Sequence, residues 1–247
     1  MIGRIKRKVE SILVRPLVRS WRSYRHRMTY KGLSTQEVFS KIYREGAWGA
    51  SDKEGQTFYS GSGSHDSAIV SEYVASVNAF LKTLPEKPDV VDLGCGDFAV
   101  GSQIRPFCAN YIACDIVPEL IEFDKKRHAD LDVDFRVLNL IEDALPSGEI
   151  VFIRQVLQHL SNTDIKQFLP KLKGGFKYLV LSEHLPSGTD FPHNNEKPTG
   201  HNIRLDTGGG LVLTSSPFNL EVKEERILCE VAEFNGVIRT ILYRLRD

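Results

Sequence analysis

From residue 89 onward, short β-branched runs alternate with amphipathic stretches, and this alternation constrains the fold more than any other feature of the chain. Runs at 89–93, 111–114, 133–138, 149–154 and 178–182 read as strands, while helical spacing fills about 98–107, 118–129 and 162–172. Right-handed crossovers then require a mostly parallel sheet with helices on both faces. Two further runs, 226–234 and 237–245, flank Asn235-Gly236 and predict an antiparallel hairpin closed by a type I′ turn. The expected fold is α/β, a parallel sheet that ends in an antiparallel C-terminal hairpin.

Ahead of this region the spacing predicts an amphipathic helix over about 35–44 and a second over 67–84, stopped by Pro85 and Pro88. Between them lie Trp48 and the polar run Tyr59-Ser-Gly-Ser-Gly-Ser-His65. A flexible spacer is one reading. Trp48, Phe58 and Tyr59 are costly to leave in water, which favours a lid or binding loop. Three segments follow: a basic arm over 1–31, a helical cap or lid region over 32–88, and the main domain over 89–247.

The 247 residues, 41% hydrophobic and 26% charged, suffice for one sizeable core. No apolar run reaches the roughly 18 residues of a membrane span, and the basic start lacks the apolar centre of a secretory signal, so a cytoplasmic protein is expected. Cys95, Cys108, Cys114 and Cys229 form no CxxC pair and read as small buried hydrophobes, not as zinc ligands or disulfides. The formal net charge of zero conceals a division: residues 1–31 hold ten Lys or Arg against Glu10 alone, +9, and the remaining 22 basic and 31 acidic residues give −9. Ile5, Val9, Ile12 and Leu13 share a helical face among those cations. The arm therefore suits peripheral contact with an anionic inner membrane surface or an acidic partner; a solvated or packed extension and a mitochondrial targeting segment are the alternatives.

In Val90-Val-Asp-Leu-Gly-Cys-Gly-Asp-Phe-Ala99, Gly94 and Gly96 fall where the first strand turns toward a helix, so a ligand can approach the backbone. With Ala99 the run satisfies the dinucleotide fingerprint, but Asp92 and Asp97 set carboxylates where a pyrophosphate would lie. Such a site favours a ligand without phosphate and with a cationic part, such as an amino group beside a sulfonium. Asp115 closes the second strand 21 residues after Gly94, where a carboxylate accepts both hydroxyls of a ribose. Asp92-Leu-Gly-Cys-Gly-Asp97, Asp115 and the Asn-Gly hairpin together resemble a class I S-adenosylmethionine-dependent methyltransferase over about 89–247. The resemblance implies a Rossmann-like sheet, S-adenosylmethionine as cofactor, and a cofactor-binding set of Asp92, Gly94, Cys95, Gly96, Asp97, Asp115, Ile116, Asn139, Arg154 and Gln155. Asn139 stands where Asp is more usual in that family.

Ser60-Gly-Ser-Gly-Ser-His65, Cys95-Gly-Asp-Phe98, Asp115 through Ile121, Arg154-Gln-Val-Leu-Gln-His-Leu160, Glu183-His184, and Lys197 through Arg204 are similar to bacterial methyltransferases of surface-polysaccharide and sugar-modifying pathways. In open α/β sheets the acceptor side lies at the carboxyl ends of strands four and five. His159 after strand four is the expected general base, with His184 after strand five in reserve. Substrate contacts are expected from Trp48, Tyr59, His65, Glu183, Asn195, Lys197, His201 and Arg204. Lys197 and Arg204 in the polar stretch 191–204 would suit a phosphate or carboxylate. No metal is expected, although His184, Asp190, His193, His201 and Asp206 are an alternative divalent-cation set. The leading reading is O-methylation of a sugar hydroxyl in a glycan or its precursor. N- or O-methylation of another small metabolite, and a non-catalytic cofactor-binding module, stand beside it. Nucleic acid is disfavoured, since no base-reading motif follows strand four.

Overall fold

A computed structural model of the chain describes residues 29–51 and 57–247. Most of the basic arm, including the amphipathic stretch 5–13, lies outside the described residues. Two compact units divide at Ser34 and Thr35. In the first, the Leu33 amide donates to the Tyr30 carbonyl at 3.2 Å and closes a turn. Among the described residues no helix is long and apolar enough to cross a membrane.

The second unit begins with helices α1 (Thr35–Arg44), α2 (Ser62–His65) and α3 (Ser67–Leu81). Asp66 starts α3 by accepting from the Ala68 amide at 2.8 Å, and Ile69, Tyr73, Val77 and Phe80 bury its inner face. There follow β1 (Val90–Leu93), α4 (Gly101–Ile104), β2 (Tyr111–Asp115), α5 (Pro118–Arg127), β3 (Asp134–Val137), β4 (Ile150–Arg154), α6 (Asn162–Phe168), β5 (Tyr178–Pro186), β6 (Glu224–Glu233) and β7 (Gly236–Arg244). The seven strands run β3-β2-β1-β4-β5-β7-β6, parallel through β5, with β7 antiparallel to both of its neighbours. One face of the sheet and α3 enclose a core that includes Val77, Phe80, Phe98, Ile104, Tyr111, Ile150 and Phe152. Every expected strand is present, because each is a β-branched run bounded by turn residues.

Four expectations need correction. The helix expected over 98–107 shrinks to α4 and a 3-10 turn at Arg105–Phe107, since Phe98 adopts a left-handed φ of 55° and Pro106 lacks an amide donor. The 162–172 helix passes into a 3-10 turn at Leu169, beside Pro170. β5 is longer than its apolar run, so Glu183 and His184 lie within the strand, opposite Arg239 and Ile238 of β7, rather than after it. The hairpin turns on Phe234-Asn235, one residue earlier than expected, with φ of 48° at Phe234, while Gly236 already pairs with Pro186 and Glu233. A Cβ at Gly236 would run into the Leu185 carbonyl, so close strand approach requires glycine there, and the turn itself does not.

Candidate active site

The carboxyl ends of the parallel strands open into a cavity of about 450 Å³, within the roughly 300–1,000 Å³ of small-molecule sites. β1 delivers Asp92 to its floor, where the Tyr111 hydroxyl donates to Oδ2 at 2.9 Å. Burial pushes the Asp92 carboxyl up to about 7, against the pull of that hydrogen bond and of nearby Arg154. Gly94 and Gly96 follow with φ of 80° and 59°, the left-handed backbone that the turn requires. Asp115 ends β2 and accepts from the Gly96 amide at 3.2 Å and the Val117 amide at 3.1 Å. It too is raised by burial, to about 6, with those amides opposing. Two backbone donors leave lone pairs on both of its oxygens for a diol. Arg154, at the end of β4, stacks its guanidinium 4.9 Å from the Tyr73 ring centre and keeps a buried Nε without a hydrogen-bond partner. An acidic floor, a ribose-competent carboxylate and a buried guanidinium fit the amino, ribose and carboxylate parts of S-adenosylmethionine.

The Ser60–His65 segment closes over this floor. The Ser60 hydroxyl accepts from the Asp97 amide at 2.9 Å and lies 3.0 Å from the Tyr43 hydroxyl. His65 Nε2 sits 2.6 Å from Asp97 Oδ2, and its ring stacks on Tyr59 with centroids 4.6 Å apart. Arg154 donates to the Gly63 carbonyl and, at 3.3 Å, to the Ser64 hydroxyl. From the far end of the sequence, Glu233 accepts from the Ser62 hydroxyl at 3.0 Å. α1 adds Phe39 and Tyr43 to the wall, and Trp48 meets the His159 ring at 5.1 Å.

After β4, Gln155 takes a left-handed φ of 56° and the chain turns through a 3-10 segment, Leu157–His159. Arg204, 2% exposed, fastens that turn by donating to the Leu160 carbonyl at 3.0 Å, Asn162 Oδ1 at 2.6 Å, the Leu157 and Gln158 carbonyls at 3.4 Å, and the Asn195 carbonyl at 3.1 Å. Gln158 accepts the His184 amide at 2.9 Å through Oε1, which turns its NH2 toward His159 Nε2, 3.4 Å away. An amide NH2 only donates, so His159 Nε2 is the bare nitrogen, and Nδ1 carries the proton toward the Gly200 carbonyl at 3.2 Å. Burial, with help from Lys197, lowers His159 to about 3 and keeps the ring neutral. The ordinary imidazole value of 6.5 therefore does not describe His159. Glu183 is buried beneath the same turn, accepts from the Gln158 amide at 3.0 Å, and is raised by burial to about 8.

Every residue expected to bind cofactor lines the cavity: Asp92, Gly94, Cys95, Gly96, Asp97, Asp115, Ile116, Asn139, Arg154 and Gln155. His159, His184, Trp48 and His201 line it as well, whereas Tyr59, His65, Glu183, Asn195, Lys197 and Arg204 are not part of its lining. Lys197 donates to the carbonyls of His159 at 2.9 Å and Pro198 at 2.8 Å. The anion site expected of Lys197 and Arg204 is therefore corrected to a brace for main-chain carbonyls. Among the described residues no three His, Cys, Asp or Glu side chains gather for a metal, so the five-residue cation set is not assembled. Sequence reading missed Tyr111, Gln158 and Glu233. Strand register signals the first, since Tyr111 opposes Val90, whose side chain shares a face with Asp92.

Residues 91–174 match the family model described as a methyltransferase domain. No curated protein matches the chain in sequence. In structure the chain is similar to magnesium protoporphyrin IX methyltransferase (ChlM) of Synechocystis PCC 6803 with bound S-adenosylmethionine, at TM-score 0.55 and 14% identity, over 87% of this chain and 99% of that one. It is similar also to the N-methyltransferase NodS of Bradyrhizobium japonicum WM9 with S-adenosylhomocysteine, at TM-score 0.54 and 12% identity, over 72% and 87%. Human N-acetylserotonin methyltransferase with S-adenosylmethionine gives TM-score 0.53 and 16% identity, over 86% and 60%. The matched segment, the seven-stranded sheet and the cleft at the ends of β1, β2 and β4 agree: the chain has the α/β fold of class I methyltransferases, and its residues 91–174 are similar to a methyltransferase domain.

Proposed function

We propose that the chain methylates a hydroxyl group of a sugar, in a glycan or its precursor. The observation that carries this reading is His159: a neutral imidazole in the cavity wall beside Trp48, whose unprotonated Nε2 is held only by a 3.4 Å contact from the Gln158 amide that an acceptor hydroxyl would displace. Bound S-adenosylmethionine supplies an electrophilic methyl group. Asp115 would hold its ribose, Asp92 its amino group and Arg154 its carboxylate. An alcohol oxygen becomes strongly acidic as it gains the methyl group, so even a base lowered to about 3 can take its proton late in the displacement. His159 serves as that acceptor, and Gln158 holds its ring. A second reading, methylation of another small hydroxylated or amino metabolite, uses the same groups and is favoured by the N-methyltransferase likeness. The ten cations of residues 1–31 support peripheral attachment to an anionic membrane surface.

Labelled cofactor and fractionated cell glycans test the acceptor, and two variants test the residues. His159→Ala should lower kcat by at least about a hundredfold while the S-adenosylmethionine Kd stays within a few-fold. Asp115→Ala should weaken S-adenosylhomocysteine binding by about 1.5–3 kcal/mol per lost charge-assisted bond, less what water recovers. A folded His159→Ala enzyme with near wild-type turnover would remove the base assignment, and unchanged affinity in Asp115→Ala would remove the ribose assignment.

A further inference from the structure

Charge divides the cavity in a way that bears on what it can methylate. Among the described residues that line it, Arg154 is the one Lys or Arg, against five carboxylates: Asp92, Asp97, Asp115, Asp206 and Glu233. Arg154 belongs to the cofactor end, with its donors directed to Gly63 and Ser64 and its face on Tyr73. Lys197 and Arg204 approach the acceptor end from behind, but their hydrogen bonds go to carbonyls and to Asn162. Carboxylates accompany them there, Glu183 and Glu196 beside Arg204, Asp164 and Asp206 beside Lys197. What faces an acceptor is imidazole from His159, His184 and His201, aromatic surface from Trp48 and Phe234, and the acids Asp206 and Glu233.

Resting on the glycan reading, we propose that this compartment takes acceptors that are neutral or cationic around the reacting hydroxyl, meaning free glycan ends and amino sugars, and rejects phosphorylated, nucleotide-linked or carboxylated sugars. A phosphate entering here would lose its hydration, find no cationic donor among the described residues of the acceptor end in exchange, and face two carboxylates. Neutral polyols lose nothing by this arrangement. Carboxylates accept hydroxyl hydrogen bonds, and aromatic faces cover the C–H surface of a sugar ring or attract an ammonium group.

The test uses the full chain with labelled S-adenosylmethionine and matched acceptor triplets, each a methyl hexoside, its amino-deoxy analogue and its phosphate, together with simple alcohols, amines and hydroxy acids. Turnover is expected on neutral or amino members, with kcat/KM at least tenfold lower for the phosphate of the same sugar. The Asp206→Asn, Glu233→Gln double variant should narrow that gap through KM, and unchanged S-adenosylhomocysteine affinity would show that the variant is folded. A phosphate or acid accepted as well as its neutral partner overturns the proposal. Turnover confined to non-sugar members overturns the glycan reading, and the ratio between alcohols or amines and hydroxy acids then decides the charge rule by itself.

Discussion

Asp124 occupies a position on α5 where a leucine would fit. It shares the buried face of the helix with Leu120 and Ile121, is 0% exposed, and neither carboxylate oxygen has a hydrogen-bond partner. Burial, reinforced by Asp115 and Asp97, raises it to about 9. With Asp92 at about 7, Asp115 at about 6 and Glu183 at about 8, four carboxyls hold their protons more tightly folded than unfolded. Such a group costs nothing below its unfolded pKa and destabilises the fold increasingly as pH rises toward its folded pKa. His159, lowered to about 3, and His128 and His201, also lowered by burial, act in the opposite sense up to about 6.5, and Lys197, lowered to about 7, does so above that value, but the four carboxyls outweigh them. Thermal unfolding of the cofactor-free protein should therefore show a midpoint that falls from pH 4.5 to 8. Asp124→Asn removes up to about 1.4 kcal/mol per pH unit of that slope. It should raise the midpoint at pH 8 more than at pH 5; an equal or negative change at both would show that Asp124 is paired. At this scale the sequence was read unevenly. Asp92 and Asp115 stand at strand ends and were legible, and the i, i+1, i+4 apolar face around Asp124 was a signal left unread. The tasks of Lys197 and Arg204 depend on where a loop's carbonyls fall, which no spacing encodes.

Among elements, the strands were legible because alternation and β-branching are local, whereas helix ends were set by single residues such as Phe98 and Pro170. The C-terminal hairpin shows the difference best. Asn-Gly correctly marked where the chain reverses, but nine paired positions between β5 and β7 fix the register and move the turn to Phe234-Asn235. Phe234, 84% exposed and left-handed, is thereby delivered to the cavity mouth near His184. Gly236→Ala forces a methyl group against the Leu185 carbonyl and should cost roughly 1–3 kcal/mol in denaturant unfolding. Because the strain falls where β5 meets the hairpin, His184 and Phe234 should shift too, lowering turnover more than cofactor affinity. An Ala variant of wild-type stability would show that the approach to the Leu185 carbonyl does not require glycine.

Over the whole molecule, charge is separated as sharply as chemistry, +9 over residues 1–31 and −9 over the rest. An acidic body repels an anionic surface that a basic arm would attract, so we propose that any such attachment runs through the arm. Full chain should bind vesicles rich in anionic lipid in a salt-sensitive manner, and deletion of residues 1–27 should abolish that binding while sparing turnover on a soluble acceptor. Deletion without effect on vesicles would leave the arm without this role. The fold class and the gathering of Asp92, Gly94, Gly96 and Asp115 in one cleft were legible because they reside in contiguous motifs, while the candidate acceptor side joins residues as distant as Ser62 and Glu233.

β7 follows every other strand in chain order, yet it lies inside the sheet, between β5 and β6. A chain emerging from the ribosome has β3, β2, β1, β4 and β5 available once residue 186 is made, and with them the glycine turn, Asp92 and Asp115. β6 must wait without a partner until β7 appears, and only then do Glu233 and Phe234 reach their places. Synthesis order thus lets the glycine turn with its two carboxylates form before the opposite wall of the cleft is complete.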